Sequence, residues 1–129
     1  MEFVLRARAA HFEPNADVFV DEGRGDIIVK LELAGADPES LRIAVRERGL
    51  TISGRRLDAT RLQRGSFVQK EIGYGEFAKR IDLPVAVIAE EVVAEYADGI
   101  LLIALPVSET EYIPTARFET RVIVKRTLV

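Results

Sequence analysis

Residues that could perform catalysis are few and scattered in this sequence. His11 is the single histidine, so a Ser-His-Asp relay would have to be built around it, and a histidine metal site would need further histidines. Cysteine is absent, which excludes a thiolate nucleophile, a disulfide framework and a cysteine metal site. No catalytic residue, cofactor site or metal site is therefore predicted, and the chain is not expected to be an enzyme.

Three glutamates, Glu90, Glu91 and Glu95, could in principle act as paired carboxylates. Acid–base catalysis needs a walled pocket that moves two pKa values apart, and nothing around these residues indicates one. The short Gly73-Tyr74-Gly75 segment is more typical of a turn than of a phosphate-binding loop, and no glycine-rich loop precedes a Lys-Ser or Lys-Thr pair. These residues are interpreted as a solvated strand edge and a turn.

The charge of the chain argues against nucleic acid as a partner. Its 129 residues carry a net charge of −3, and both signs are interspersed. Phosphate backbones require a positive stripe, whereas the basic residues Arg61, Arg64 and Lys70 stand beside Asp58 and Glu71. No apolar run approaches the roughly 18 residues of a membrane span, and the first residues lack the pattern of a signal peptide. A cytoplasmic location is expected.

The most informative stretch runs from Val92 to Pro106. Asp98-Gly99 supplies the positive φ of a tight turn, which predicts a hairpin. The second strand is apolar on both faces: Ile100, Leu102 and Ala104 alternate with Leu101, Ile103 and Leu105. Because an antiparallel strand usually buries only one face, we expect a second partner to cover the other one.

Alternating or turn-bounded segments predict further strands. They are Asp17 to Glu22, Asp26 to Leu33, Leu41 to Val45, Leu50 to Ser53, Phe67 to Ile72 and Phe77 to Leu83. Asp37-Pro38-Glu39 could open one helical turn, and Val85 to Glu91 is either a helical turn or a loop. About eight short strands without a long helix predict an all-β, antiparallel, immunoglobulin-like sandwich.

Three regions are expected along the chain: an N-terminal arm over 1–14, the sandwich domain over 15–107 and an extended tail over 108–129. Two interpretations of the arm stay open, a frayed terminus or a sticky segment that contacts a partner. The tail is expected to add no core strand before its β-branched triplet, Val122-Ile123-Val124. Such a triplet can add to a sheet edge, either its own or that of a neighbouring subunit.

Several motifs, taken in order from Pro14 to Arg126, resemble landmarks of the small heat shock proteins, the α-crystallin domain family. The segment from Ala94 to Pro106, AEYADGILLIALP, is similar to the family signature of Ala, a spacer, Asn/Asp-Gly, alternating apolar residues and Pro. The other segments are DVFVDE, DIIVKLELAG, LTISGRR, GEFAKRIDLP and the tail RVIVKR, which resembles an Ile-x-Ile/Val anchor.

The resemblance implies an ATP-independent holdase that binds partly unfolded client proteins and prevents their aggregation. It implies a homodimer formed by strand exchange, with Phe67, Val68, Gln69, Lys70 and Glu71 pairing against Val18, Phe19 and Val20 of a partner, near Lys79 and Arg80. It also implies that the tail anchor Val122, Ile123 and Val124 docks in a groove and can build larger homo-oligomers. The groove residues would be Leu41, Ile43, Val45, Ile100, Leu102 and Ala104.

Four departures from the family pattern stand out. Ala34 replaces a proline before Gly35, and the arm is short. Lys79 stands where many members carry arginine, and lysine lacks the planar fork of arginine. Val122 and Val124 are each about one methylene smaller than isoleucine. The alternative function is a co-chaperone or scaffold module of the related CS sandwich type, which would bind one folded partner and need neither the long loop nor the tail triplet.

Overall fold

The computed structural model describes residues 12–46, 48–58, 64–108 and 118–125 of the chain. These residues form nine strands: β1 (Ala16–Asp21), β2 (Asp26–Glu32), β3 (Arg42–Arg46), β4 (Gly49–Arg56), β5 (Gly75–Asp82), β6 (Val93–Ala97), β7 (Ile100–Pro106), β8 (Phe118–Thr120) and β9 (Val122–Val124). One sheet has the order β1-β2-β7-β6-β9, and the other has the order β5-β4-β3-β8. The predicted antiparallel β-sandwich is confirmed, with one parallel pair between β6 and β9.

The β6–β7 hairpin forms where the sequence predicts it. Asp98 and Gly99 adopt φ values of 54° and 79°, the left-handed conformation that a two-residue hairpin turn requires. A Cβ at Gly99 would also lie 3.1 Å from the Cα of Ala34, so the turn packs closely against the β2–β3 connection. A larger residue at this position would be disfavoured both by its φ and by this contact.

The core lies between the two sheets and is built from the inward positions of each strand. Its fully buried side chains alternate along the strands and include Ile27, Val29, Leu31, Ile43, Val45, Leu50, Ile52, Leu101, Ile103 and Leu105. The buried Tyr96 hydroxyl donates a hydrogen bond of 2.6 Å to the Leu33 carbonyl, so its polar group is satisfied. The period-two pattern of the sequence therefore sorts the residues between core and surface.

Two predicted turns are 3₁₀ segments. The first, Pro38–Ser40, begins at Asp37, whose side chain accepts a hydrogen bond from the Glu39 N–H, and the second is Ala89–Glu91. Neither is long enough to cross a membrane, and the described residues contain no other helix. The single helical turn predicted at Asp37-Pro38-Glu39 is thus present.

Two sequence expectations differ from the structure. Residues 67–72 form no strand, although a short one was predicted there. A strand needs an edge to pair with, and within the described chain these residues pair with none. Conversely, β8 was not predicted, yet Phe118–Thr120 pairs with β3 in the second sheet. Its three residues carry too short a pattern to be recognised without their partner strand.

Candidate functional site

Both tail strands lie along one side of the sandwich. β8 pairs with β3 at the edge of the four-stranded sheet, and β9 pairs with β6 at the edge of the five-stranded sheet. β3 and β6 would otherwise present unpaired N–H and C=O groups, which readily recruit another strand. We call the space between β3 and β6 the edge groove.

The tail anchor meets the edge groove with alternate side chains. Val122 is in register with Ala94 and Val124 with Tyr96, both of which are buried. Val122 and Val124 are half-buried and pack against the core, whereas Ile123 remains 55% exposed. Beside them, a cleft of about 550 Å³ remains open between the tail and the segment from Pro38 to Arg42. The two valines therefore occupy the groove without filling it.

The six predicted groove residues do not share one surface. Leu41, Ile43 and Val45 are buried in the core, and the tail lies over their edge of the sandwich. Ile100, Leu102 and Ala104 point to the opposite face of β7, away from the second sheet. The reason is that β7 is a central strand, flanked by β2 and β6, so the tail can pair only with the edge strand β6. The tail therefore leaves the outer face of β7 uncovered.

A charged pair holds the end of the tail. Lys125 Nζ lies 2.9 Å from Glu95 Oε2, and the Lys125 N–H donates to the Tyr96 carbonyl at 2.8 Å. The hydrogen bond that Lys125 donates to Glu95 and the attraction of the Glu95 carboxylate raise the pKa of Lys125 above 10.5. The docked tail therefore holds this proton more tightly than the free tail does.

This raised pKa predicts the pH dependence of tail docking. Because the docked pKa is the higher one, the lysine contribution is complete below the ordinary pKa of 10.5 and is lost as the pH rises through the docked value. Proteolysis after Lys125 or Arg126 should therefore accelerate as the pH rises above 10.5, beyond the intrinsic pH dependence of the protease. The Lys125→Met variant, cut at Arg126, should lack this extra acceleration. An identical pH profile in both proteins would contradict the role of the pair.

The opposite side of the sandwich exposes apolar residues on an unpaired strand. β1 pairs only with β2, so its outer edge is free within the described chain. Val18, Phe19 and Val20 are 45%, 61% and 47% exposed, so both faces of β1 meet solvent. An apolar edge of this kind is a template for a strand from another chain.

The loop that follows β4 also exposes apolar side chains. Phe67 and Val68 are exposed, and Lys70 Nζ lies 4.9 Å from the centre of the Phe67 ring and 4.8 Å from that of Tyr74. Gln69 and Glu71 are hydrogen-bonded through their side chains. The cationic contact on two aromatic rings restrains the loop. This segment and β1 are the two halves of the predicted strand exchange, and within one chain they are not paired with each other.

The two basic residues predicted near the exchanged strand face different partners. Lys79 Nζ lies 3.6 Å from Glu13 Oε2, and Arg80 Nε lies 3.6 Å from Asp82 Oδ1. Both side chains belong to β5, but they point to opposite faces of the strand because they are adjacent in sequence. Only Lys79 therefore points toward the N-terminal segment that leads into β1.

Arg56 is a positioning residue that sequence analysis missed. Its Nε and Nη2 donate to the Gly73 carbonyl at 3.0 and 2.6 Å, and its Nη1 donates to the Ala34 carbonyl at 3.1 Å. Its guanidinium carbon lies 4.2 Å from the centre of the Phe12 ring. One side chain thus joins the N-terminal segment, the β2–β3 connection and the loop. The motif LTISGRR ends at Arg56, but it does not indicate these contacts, since the partners are distant in sequence.

Replacing Arg56 with lysine is expected to lower the free energy of unfolding by about 1–2 kcal/mol, because an ammonium cannot reproduce the planar fork that reaches two carbonyls. Urea denaturation followed by circular dichroism would measure the change. Arg24→Lys is the matched control, since Arg24 is exposed and its ion pair with Asp26 is long, at 3.8 Å. Equal stability of the two variants would contradict the bridging role of Arg56.

Nothing in the described ranges resembles a metal site, because no group of three or more histidine, aspartate or glutamate side chains converges there. His11 lies outside the described residues. The structural features that remain are therefore an edge groove, an exposed apolar edge and an uncovered apolar sheet face.

The sequence of the chain matches a known protein family. The family model described as "Hsp20/alpha crystallin family" matches residues 19–122. The chain belongs to this family. This family assignment agrees with the prediction that the chain is not an enzyme.

Two curated relatives are similar to this member of the family. "Small heat shock protein C4" of Rickettsia felis is 31% identical over 96 residues, which are 74% of this chain and 58% of the relative. "Alpha-crystallin" of Mycobacterium tuberculosis is 36% identical over 89 residues, which are 68% of this chain and 58% of the relative. The chain thus spans little more than half the length of these relatives.

Solved structures agree with the family assignment. Heat shock protein 16.0 from Schizosaccharomyces pombe is 26% identical with a TM-score of 0.66, over 81% of this chain and 98% of that chain. The hspA protein from Xanthomonas axonopodis is also 26% identical, with a TM-score of 0.63 over 76% of this chain and 96% of that chain. The α-crystallin sandwich predicted from the motifs is confirmed.

Proposed function

We propose that this small heat shock protein is an ATP-independent holdase that binds extended apolar segments of unfolding proteins. The observation that carries the proposal is the amount of apolar surface outside the core. A row of Phe19, Ile28, Ala104 and Val93 crosses four neighbouring strands on the outer face of the five-stranded sheet, with Leu102 beside it. Contiguous apolar surface on a folded domain is typical of an interaction site.

Unfolding clients are the partners that suit this surface best. An unfolding chain exposes apolar side chains together with unpaired backbone groups, and β1 offers both kinds of contact at one edge. Binding of this kind needs no nucleotide, because apolar burial itself provides the free energy. A cytoplasmic location belongs to the same proposal, and it is supported by a composition without cysteine. Fractionation of cells would test the location.

A heat-aggregating client tests the proposal directly. In the absence of ATP, light scattering by the client should be suppressed when one subunit of the chain is present per client molecule. The Leu102→Glu variant should suppress less, because a carboxylate in the apolar patch opposes burial. Glu22→Gln, a substitution in the exposed β1–β2 turn, serves as the control. No suppression by the unaltered protein would exclude the holdase function.

We also propose the strand-exchanged homodimer. Phe67 to Glu71 would add to the free edge of β1 on a partner, and Val18, Phe19 and Val20 would thereby lose their exposure. Two features support this pairing: both segments expose apolar side chains, and within the described chain the outer edge of β1 and the whole of residues 67–71 have no strand partner. A two-fold dimer would satisfy both edges at once, since each chain gives a strand and receives one.

The last part of the proposal is that the tail can link dimers into larger assemblies. Ten Cα–Cα steps separate Ser108 from Phe118, so the connection can extend over at most about 35 Å. The same tail can therefore dock in its own edge groove or in that of an adjacent subunit. Docking within one chain would leave the dimer closed, whereas exchange would link dimers into oligomers.

A further inference from the structure

A basic cleft lies on the outer face of the four-stranded sheet, whereas β1 belongs to the other sheet. Its volume is about 540 Å³. Ala44, Gly49 and Thr51 form its floor, and Arg46, Arg48 and Arg80 line its sides. Among these residues only Arg80 was predicted near the exchanged strand, and its side chain points to the face of β5 opposite that of Lys79.

The floor of the cleft is a consequence of strand register. Ala44 is directly opposite Thr51, and Thr51 is directly opposite Arg80, so three neighbouring strands contribute to one row. In the next row, Gly49 lies between Arg46 and Asp82. Ala44 faces outward but is only 7% exposed, because longer side chains stand around it. Small residues thus create a depression where an outward sheet face would otherwise be convex.

Three guanidinium groups border this depression. Arg80 Nη2 lies 3.7 Å from the position of a Cβ on Gly49, which places the guanidinium over the floor. Its pair with Asp82 is long, at 3.6 Å, and both side chains are largely exposed, so a ligand can displace it at little cost. Within the described residues, no ion pair is found for Arg46 or Arg48.

The cleft is lined by more positive than negative side chains, although the molecule as a whole is negatively charged. Three arginines and one aspartate line it, whereas the chain as a whole carries a net charge of −3. Arginine presents a planar fork that binds phosphate oxygens in pairs, and Thr51 adds a hydroxyl donor on the floor. The volume lies within the range of small-molecule sites and greatly exceeds that of one phosphate.

We propose that this cleft binds an oligophosphate or a phosphate ester, with Arg46, Arg48 and Arg80 contacting the phosphate oxygens. The site borders the tail strand β8, because Ala44 on its floor is in register with Glu119. Occupation would neutralise mutually repelling cations at the β3–β4 turn, so the ligand should also stabilise the folded domain.

Calorimetric titration of the full chain with sodium tripolyphosphate tests the proposal. We expect saturable binding of one anion per chain at low ionic strength, weakened when salt is added. Arg46→Gln and Arg80→Gln should each weaken binding by about tenfold, the size of one charge-assisted contact. Arg24→Gln removes the same charge from a remote turn and should leave the affinity unchanged. Circular dichroism verifies that each variant is folded.

A second measurement does not depend on variants. Amide resonances of Gly49 and Thr51 should shift on addition of tripolyphosphate, and inorganic phosphate should produce the same pattern at higher concentration. Citrate distinguishes phosphate recognition from general anion binding and should bind at least tenfold more weakly. Absence of saturable binding, an equal loss in Arg24→Gln, or stronger binding of citrate or of a glutamate-rich peptide would each overturn the proposal.

Discussion

Replacing Phe67 with aspartate is expected to weaken dimerisation of the chain by about a hundredfold or more. In the proposed dimer, this side chain leaves solvent and packs against the β1 edge of the partner. Transfer of an unpaired carboxylate into an apolar contact costs several kcal/mol, and each 1.4 kcal/mol corresponds to a tenfold change in affinity. The free monomer should fold normally, because Phe67 is exposed and lies outside the core.

Sedimentation velocity over a range of concentrations would measure this change. Val85→Asp is the matched control, since it adds the same charge at an exposed apolar residue outside both β1 and the loop. Phe19→Asp, on the other half of the proposed contact, should weaken the dimer as Phe67→Asp does. Unaltered affinity in both Phe67→Asp and Phe19→Asp would mean that the dimer, if one forms, uses another surface.

Replacing Val122 and Val124 together with alanine is expected to release the tail from the edge groove. Each substitution removes two half-buried methyl groups, so the pair should lose about 1.5–2 kcal/mol, or about 10- to 30-fold in docking affinity. Oligomers that depend on the tail should then dissociate to dimers, while the sandwich remains folded because its core does not include these residues.

Light scattering would measure the mass of the oligomer, and limited proteolysis after Arg121 would measure the release of the tail from the edge groove. Ile123→Ala is a control within the same strand, because Ile123 points away from the core. The reverse change, to isoleucine at both positions, should tighten docking, since an open cleft of about 550 Å³ borders Val122 and Val124. If mass and proteolysis remain unchanged in the double alanine variant, the valines do not hold the tail.

Much of the sandwich follows from local sequence. The alternation of Ile27, Val29 and Leu31 and the Asp98-Gly99 turn each act over a few residues, so strands and the hairpin could be predicted without knowledge of distant partners. The family motifs indicated the same fold. Both kinds of information specify which residues are strand-forming, and they specify the two faces of each strand.

Only the tertiary structure decided which surface each face meets. Alternation showed that β7 has two apolar faces, but the position of β7 inside its sheet determines that the tail pairs with β6 and leaves Leu102 exposed. Arg56 and the arginine cleft could not be predicted either, since their contacts join segments far apart in sequence. Periodicity acts along the chain, whereas sheet order and side-chain convergence depend on how distant strands pair.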